Sequence, residues 1–152
     1  MPLEENLVMQ IFQFEFGTPE YDSAVRLRYE VLRRPLGLEY TPEQLAAEYS
    51  DIHLGAFDTN GALMGCLILT PLADNAIKMR QVAVDPAWQG RGAGTELVAA
   101  SEQQSKRLGF VVMSLHAREI AVPFYLRLGY NIVGEGFEEV GIPHFKMEKN
   151  LE

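Results

Sequence analysis

One segment constrains the fold of this chain more than any other, the run QVAVDPAWQGRGAGTEL over residues 81–97. Its apolar first part is typical of a strand, an Asp-Pro pair ends that strand, and a glycine-rich turn then leads directly into a helix. Gly90, Gly92 and Gly94 can adopt backbone angles that other residues avoid. Free N–H groups at a helix start add to the positive end of its dipole, so a phosphate group fits this turn. A strand-to-helix turn without a ligand would contain the same glycines.

The spacing of the glycines excludes two common phosphate sites. A dinucleotide-binding loop requires GxGxxG, but its third glycine would fall on Thr95 or Leu97 in the two registers available here. A P-loop requires a lysine directly after its last glycine, and no glycine of this chain is followed by lysine. The pattern Gln89-x-x-Gly92-x-Gly94 instead resembles the acyl-CoA pyrophosphate loop of the GNAT superfamily of N-acetyltransferases.

Length, charge and cysteine content narrow the class of protein. A chain of 152 residues with 47% hydrophobic residues suffices for one domain with a full core, and we expect a single domain over residues 1–152. The net charge of −8 argues against nucleic acid as a partner. The lone Cys66 cannot form a disulfide within one chain, and no signal peptide or membrane-spanning run is evident. We therefore expect a cytoplasmic protein that does not bind a membrane.

The order of the predicted elements is that of a mixed α/β sheet. Apolar runs predict about seven strands, over residues 7–16, 53–57, 63–69, 77–84, 110–115, 130–133 and 145–147. Helical spacing and capping residues predict four helices, over residues 18–35, from residue 41, over 95–108 and over 120–128. This order resembles the GNAT acyl-CoA N-acyltransferase fold along nearly the whole chain, and the resemblance implies that strands 4 and 5 splay apart.

A second segment supports the resemblance. Phe124-Tyr125-x-x-Leu128-Gly129-Tyr130 resembles the FYxxLGF signature on the helix that follows strand 5 in GNAT proteins. The resemblance implies that Tyr125 lies beside the sulfur of the cofactor and protonates the thiolate as it leaves. A phenol with a pKa of about 10 suits such a general acid. The alternative is a core tyrosine whose hydroxyl lies at the rim of the core.

The resemblance also implies where acetyl-CoA binds. In the family, a bulge in the fourth strand frees main-chain groups to bind pantetheine and the acyl oxygen of the tetrahedral intermediate. An asparagine often stands seven residues before the tyrosine, and here Arg118 replaces it, which departs from the pattern but suits a CoA phosphate. The implied cofactor contacts are Val82, Ala83, Val84, Gln89, Gly90, Arg91, Gly92, Ala93, Gly94, Thr95, Arg118 and Tyr125.

A third segment, FEEVGIPH over residues 137–144, resembles the EEDGIPH segment of the ElaA-type GNAT proteins. The segment between the last two strands approaches the thioester in that fold, which implies that it contributes to the acceptor side. A solvated turn would account for its two glutamates equally well, and for His116 we favour a place at the edge of the sheet over a role as base. The candidates for binding the acceptor are Arg28, Glu138, Glu139 and His144, and His144 and Glu138 are also candidates for taking its proton.

Together these motifs predict an enzyme that moves an acetyl group from acetyl-CoA to a primary amine of a small molecule or peptide by direct attack in a ternary complex. We expect no metal, because three isolated histidines and one cysteine show no ligand spacing. One alternative is a catalytically silent GNAT domain that binds acyl-CoA as a sensor or interaction module. The other is an α/β binding domain that does not use CoA. A homodimer stays open, since dimers are common in the family.

Overall fold

The computed structural model describes residues 9–152, so the first two residues of the predicted strand 7–16 lie outside the described part. Internal contacts divide the chain into two compact units. The first contains residues 9–69 and Gln81–Ser101, and the second contains Thr70–Arg80 and Glu102–Glu152. Each unit is described by itself below. That residues 1–152 form a single domain stays a prediction.

The first unit contains strands in the order β1-β2-β3-β4, of which β2 pairs antiparallel with both β1 and β3. Its elements, some of which continue into the second unit, are β1 (Gln10–Phe14), α1 (Pro19–Arg28), α2 (Pro42–Ala46), β2 (Ile52–Phe57), β3 (Leu63–Pro71), β4 (Ala76–Val84) and α3 (Ala93–Arg107). The buried core cluster of this unit draws on helix α1 and on all four strands, and comprises Phe14, Tyr21, Ala24, Phe57, Cys66 and Ala83.

Helix starts in the first unit follow the predicted capping residues. The Thr18 side chain accepts a hydrogen bond from the Tyr21 N–H, and Thr41 and Gln44 form a complete capping box. The first helix is shorter than predicted, because α1 ends at Arg28 and five residues of π-helix follow it. A short 3-10 turn then ends at Gly37 in the left-handed conformation.

The second unit contains the remaining strands, in the order β4-β5-β8-β6. Its own elements are β5 (Val112–Arg118), α4 (Val122–Arg127), β6 (Asn131–Ile132), β7 (Phe137–Glu139) and β8 (Ile142–Asn150). β4 and β5 run parallel, whereas β8 pairs antiparallel with β5, β6 and β7. The parallel register pairs Ala76–Met79 with Val112–Leu115 and ends there, so the last three residues of β5 extend beyond it.

The two faces of the second unit's strands differ in chemistry. Successive side chains of a strand alternate between faces, and the register places Leu115 opposite Met147 on one face and His116 opposite Lys146 on the other. Leu115 and Met147 are fully buried. The other face, here called the polar face, carries Ser114, His116, Arg118, His144, Lys146 and Glu148. This alternation explains why the apolar run 145–147 predicted only the middle of the nine-residue strand β8.

Residues 9–152 contain eight strands, one more than the predicted seven, and the additional strand is the short β7. It is joined to β8 by Val140 and Gly141, whose φ angles are 47° and 77°. Two residues with positive φ are typical of a tight hairpin turn, and a β-branched residue in that conformation is strained. A strand of three residues with two adjacent glutamates has no readable periodicity, so the sequence did not predict it.

Candidate functional site

The glycine-rich turn of the first unit has the geometry of an anion site. Gly90 and Gly92 have φ angles of 74° and 86°, and a Cβ atom on either would meet no atom within 4 Å. Backbone conformation, and not crowding, therefore requires glycine at both positions. Helix α3 begins at Ala93, and the Glu96 N–H donates to the Gly92 carbonyl at 3.0 Å. The N–H groups of residues 93–95 precede that of Glu96 and have no acceptor within the helix.

Two side chains shape this turn from within. The amide Nε2 of Gln89 donates to the Val84 carbonyl at 2.9 Å, which closes the turn onto the end of β4. The guanidinium of Arg91 lies 4.6 Å from the centre of the Trp88 ring. Asp85 caps the intervening 3-10 turn by accepting from the Ala87 N–H. The predicted cofactor contacts of Gln89 and Arg91 thus fall on residues that also order the loop, and the contacts themselves stay predictions.

Strand β4 is irregular directly before the predicted pantetheine-binding residues Val82–Val84. Gln81 has a φ angle of 56°, which is uncommon for any residue other than glycine. A left-handed residue within a strand interrupts the pleat, as at β-bulges, and turns backbone groups away from the ladder. The sequence contains a signal for this irregularity. Apolar and polar residues alternate over residues 77–80, and Gln81 then adds a second consecutive polar residue after Arg80.

A buried polar network holds Gln81 in place. Tyr40 donates to Gln81 Oε1 at 2.7 Å, and the Tyr40 ring lies 4.8 Å from the guanidinium of Arg28. Arg28 is only 1% exposed, and its Nη1 and Nη2 donate to the two oxygens of Glu48 at 2.8 and 2.6 Å. Tyr21 donates to the same carboxylate at 2.9 Å.

Electrostatics strengthen this buried pair. Burial would lower the pKa of the Arg28 guanidinium, but its hydrogen bonds and charge interactions with Glu48 and Tyr40 outweigh burial and raise it. Burial and the carboxylate of Glu48 both raise the pKa of the Tyr21 phenol. Arg28 therefore stays charged and is bound internally, which favours an indirect role. Its predicted contact with an acceptor stays a prediction.

In the second unit, Tyr125 lies on α4 and is 7% exposed. Its ring packs edge-on against Phe124 and Tyr130, with centroids 5.0 and 5.7 Å away. Burial raises the pKa of the Tyr125 phenol to about 12. Tyr130, by contrast, donates its hydroxyl proton to Glu102 at 2.8 Å. Among residues 9–152, no group is recorded as bonded to the Tyr125 hydroxyl, so its proton is available to a ligand.

The polar face carries a cluster of two histidines around one carboxylate. Glu139 Oε1 lies 3.0 Å from His116 Nδ1, and Glu139 Oε2 lies 3.6 Å from His144 Nε2. The ring of Phe137 packs edge-on against His116 and is stacked on His144. Lys78 Nζ lies 3.4 Å from His116 Nδ1. Burial raises the pKa of Glu139, but the hydrogen bond and charge of His116, with the charges of His144 and Lys78, outweigh it and lower the pKa.

The structure brings together some of the predicted acceptor-side residues and separates others. Glu139 and His144 meet in one cluster, and His116 joins them from β5. We expected His116 at the edge of the sheet, but its strand β5 pairs with β4 on one side and with β8 on the other. Glu138 alternates to the opposite side of β7 and is exposed. Arg118 lies opposite His144 in the register of β5 and β8. The roles of these residues toward a substrate stay predictions.

Neither a metal centre nor a membrane span is found in the described part of the chain. No group of three or more histidine, cysteine, aspartate or glutamate side chains there could hold a metal ion. None of the helices over residues 9–152 is long and apolar enough to cross a membrane.

Known relatives resemble this chain at low sequence identity. YyaT of Bacillus subtilis, an uncharacterised protein, is 30% identical over 80 residues, and the chain spans about half the length of this relative, 54%. YitI of Bacillus subtilis, an uncharacterised N-acetyltransferase, is 24% identical over 144 residues, which cover 90% of this chain and 96% of YitI.

Solved structures share the fold. Escherichia coli ElaA superposes with a TM-score of 0.79 at 18% identity over 93% of this chain and 99% of ElaA. An acyl-CoA N-acyltransferase from Pseudomonas aeruginosa has a TM-score of 0.79 at 23% identity, with 93% and 99% of the two chains covered. An aminoglycoside 6'-N-acetyltransferase solved with coenzyme A has a TM-score of 0.79 at 19% identity, with 94% and 97% covered.

The predicted fold class is confirmed by these likenesses: a mixed α/β sheet with parallel β4 and β5 and four α-helices. The family model that describes the acetyltransferase (GNAT) domain matches residues 33–151, which is most of the chain and includes the glycine-rich turn, Tyr125 and the histidine cluster. The chain therefore belongs to the GNAT family of acetyltransferases.

Proposed function

We propose that the protein transfers the acetyl group of acetyl-CoA to a primary amine of a small molecule or peptide, by direct attack within a ternary complex. The observation that carries the proposal is the turn in which left-handed Gly90 and Gly92 precede the free N–H groups at the start of α3. Such a helix start binds a pyrophosphate through its N–H donors and its dipole. The family of the chain supplies the acyl-CoA chemistry.

The proposed contacts with the acyl donor are those that the resemblance to the GNAT family implies. In the first unit, residues 89–95 hold the pyrophosphate and the main chain of Val82–Val84 binds pantetheine. Gln81 supports this role, because its left-handed conformation interrupts the ladder just before these residues. The backbone donors freed there would also stabilise the oxyanion of the tetrahedral intermediate. In the second unit, Arg118 would take the place of the usual asparagine beside the pantetheine arm.

Tyr125 would supply the proton that the leaving thiolate needs. Its pKa of about 12 keeps the phenol fully protonated at neutral pH. An ordinary thiol has a pKa of about 8.5, below that of this phenol, so the transfer is complete only once the tyrosinate regains a proton from water. We therefore assign to Tyr125 a hydrogen bond to the sulfur, with proton transfer only as the carbon–sulfur bond breaks. A phenol aimed at a sulfur has no use in a silent sensor, which favours the enzyme.

The acceptor side would lie at the cluster of His116, Glu139 and His144 in the second unit. Glu139 and His144 are the predicted acceptor-side residues that meet there, and the carboxylate of Glu139 suits a cationic amine. Glu138 and Arg28 are weaker candidates, since Glu138 projects to the opposite side of β7 and Arg28 is buried against Glu48.

A cytoplasmic location is part of the proposal, supported by Cys66, whose buried thiol has a pKa raised to about 12 and is inert.

Two measurements test the proposal. Acetyl-CoA at a hundredfold excess over its dissociation constant should stabilise the fold by about 2.7 kcal/mol through mass action, which a thermal-shift titration detects. Free thiol released from acetyl-CoA is then measured across a panel of small amines and peptides. Absence of stabilisation by any acyl-CoA would contradict the proposal. If acetyl-CoA stabilises the fold but no amine of the panel leads to thiol release, the result would indicate the silent acyl-CoA-binding domain instead.

A further inference from the structure

We infer that His116 is the general base that takes the proton of the acceptor amine, and that Glu139 orients it. The inference rests on the proposed function and adds to it the group that receives this proton. His116 Nδ1 lies 3.0 Å from Glu139 Oε1. A carboxylate can only accept, so the ring proton sits on Nδ1 and the lone pair on Nε2. This is the arrangement in which a carboxylate fixes the tautomer of a catalytic imidazole and stabilises the imidazolium that forms.

The position of His116 in β5 places it where the parallel ladder opens. The last pair of that ladder joins Met79 to Leu115, and His116 is the next residue of β5. Its side chain is 28% exposed, so a ligand can reach the ring. Its 3.0 Å hydrogen bond to Glu139 and its 3.4 Å contact with Lys78 Nζ both lie at Nδ1. A lysine ammonium can only donate, so the Lys78 contact is not a hydrogen bond while Nδ1 carries the proton that Glu139 accepts. Within the described chain, the Nε2 atom is left for the substrate. An edge-on contact with Phe137 limits rotation of the ring.

His144 supports the same carboxylate and is less suited to accept the proton. Its Nδ1 lies 2.9 Å from the Ile142 carbonyl, which can only accept, so Nδ1 carries a hydrogen. Its Nε2 faces Glu139 Oε2 at 3.6 Å, and this contact is favourable only if Nε2 is protonated as well. With a side chain only 5% exposed, His144 acts as a positioning residue for Glu139.

Charged groups of both signs surround His116 on the polar face. Glu139 from β7 faces the ring, with Lys78 from β4 3.4 Å from Nδ1. Burial and the charges of Arg80 and Lys146 lower the pKa of Lys78, while Glu139 opposes them. The remaining charged or titratable groups on this face are His144, Lys146 and Glu148 on β8 and Arg118 on β5 itself. Glu139 is the only carboxylate recorded within hydrogen-bonding distance of His116 among the described residues.

The proton balance of the step is closed. The amine nitrogen forms a bond to the thioester carbon and loses its proton to His116 Nε2. The carbon–sulfur bond breaks, and the sulfur takes a proton from the Tyr125 hydroxyl. His116 then releases one proton to water and Tyr125 regains one. Amine and acetyl-CoA thus give amide and free thiol with no net change in protons.

The first test uses His116→Gln with an amine that the wild-type protein acetylates. General-base catalysis contributes about 10²-fold to 10⁴-fold, so kcat/KM should fall by at least about 10²-fold. In the plot of kcat/KM against pH, the part of the rise that reflects deprotonation of the imidazole should disappear, and only the part that reflects deprotonation of the amine should remain. Stabilisation by acetyl-CoA should be unchanged. A variant that keeps the wild-type kcat/KM and pH profile would overturn the assignment.

Glu139→Gln and Glu148→Gln form a matched pair on the same surface. Glu139→Gln should lower kcat with little change in the KM for acetyl-CoA, because the imidazolium that forms loses its carboxylate. Glu148→Gln, whose side chain contacts Lys146, should change neither constant. Equal kcat values for both variants and the wild type would contradict the orienting role of Glu139.

A spectroscopic measurement on the wild-type protein does not depend on any variant folding. With ¹⁵N-labelled histidine, the ring nitrogens of His116 should report the Nδ1–H tautomer in the neutral state. An Nε2–H tautomer throughout the active pH range would overturn the inference. If the wild type binds acetyl-CoA but acetylates no amine, the proposed function fails together with the base assignment. If it does acetylate an amine and His116→Gln is unaffected, only the base assignment fails.

Discussion

Two neighbouring tyrosines on α4 and just beyond it have opposite hydrogen-bonding states. The Tyr130 hydroxyl donates to Glu102, whereas the Tyr125 hydroxyl has no recorded partner in the described chain. The Tyr125 hydroxyl is not among the fully buried unpartnered atoms of the described residues, so water or a ligand can reach it. The contrast therefore separates a structural tyrosine from a candidate catalytic one at two positions of the same motif.

Tyr125→Phe tests this contrast. We expect the kcat of acetyl transfer to fall by about 10²-fold with little change in the KM for acetyl-CoA, because only the proton donor is removed. Steady-state thiol release measures both constants. Tyr130→Phe is the matched control, and it should lower the free energy of unfolding by about 1.5–3 kcal/mol through its lost bond to Glu102. Unchanged kcat in Tyr125→Phe would argue against its role as acid.

Glu139 also makes a prediction for stability against pH. Its pKa is lowered in the folded state, so its contribution is present above the unfolded carboxyl pKa of about 4.3 and is lost as the pH falls through the folded value. Glu139→Gln should therefore melt below the wild type at neutral pH, and the gap should close in strong acid. Thermal melts from pH 7 to pH 3 measure it. Glu138→Gln, on the opposite side of β7, should show no such closing gap.

At the scale of elements, helix α3 is flanked by two glycines in the left-handed conformation. Gly92 and Gly109, which stand before and after this helix, have φ angles of 86° and 92°, and both have open space where a Cβ would stand. A substitution to alanine at either position therefore meets backbone strain and no clash. A comparison of the two variants therefore separates the cost of backbone strain from the effect of the substitution on ligand binding.

We expect Gly92→Ala and Gly109→Ala each to lower the free energy of unfolding by about 1–2 kcal/mol, because alanine tolerates the left-handed region poorly. Only Gly92→Ala should also weaken acetyl-CoA binding, because relief of the strain would turn the N–H donors before α3 away from the pyrophosphate. Urea unfolding and calorimetric titration measure the two effects. Equal acetyl-CoA affinities in both variants would contradict the predicted anion site.

The sequence predicts the β7–β8 hairpin less well than any other element. Its turn holds Val140 at a positive φ, a conformation that valine rarely adopts. Such strain persists only where surrounding structure enforces it, and it is common near functional sites. Here the hairpin carries Glu139 and His144 to the polar face, so the strained turn lies beside the cluster that we assign to the acceptor.

At the scale of the whole molecule, stability depends on a buried ion pair far more than on the surface pairs. The Arg28 and Glu48 side chains are 1% and 4% exposed, whereas those of Arg34 and Glu30 are 66% and 48% exposed. Removal of one charge from a buried pair leaves the other without compensation in the core, at a cost of about 3–5 kcal/mol. A solvent-exposed pair contributes about 0–1 kcal/mol.

Glu48→Gln should therefore lower the free energy of unfolding by about 3 kcal/mol or more, since Arg28 keeps its charge. Glu30→Gln, the control on the exposed pair, should leave it nearly unchanged, because water screens that pair. Urea denaturation followed by fluorescence or circular dichroism measures both. Similar midpoints for the two variants would show that Arg28 finds another partner or water in the core.

The strands, the helix starts and the glycine-rich turn were predictable because their signals are local. Capping residues such as Thr18 and Thr41 act within four residues, and positive φ at Gly90 and Gly92 follows from the absence of a side chain. Motif spacing also indicated the family, which the match over residues 33–151 confirms. The predicted contacts with acetyl-CoA and the acceptor stay predictions.

The order of elements, the fold class and the place of the glycine-rich turn follow from the sequence, because periodicity, capping and glycine conformation are properties of neighbouring residues. Which distant groups meet depends on the tertiary structure. Arg28 and Glu48 are 20 residues apart, Tyr40 and Gln81 are 41 apart, and His116 and Glu139 are 23 apart. Long-range pairing depends on strand register and burial, which no local pattern encodes. Such pairing buries Arg28 against Glu48 and places His116 beside Glu139.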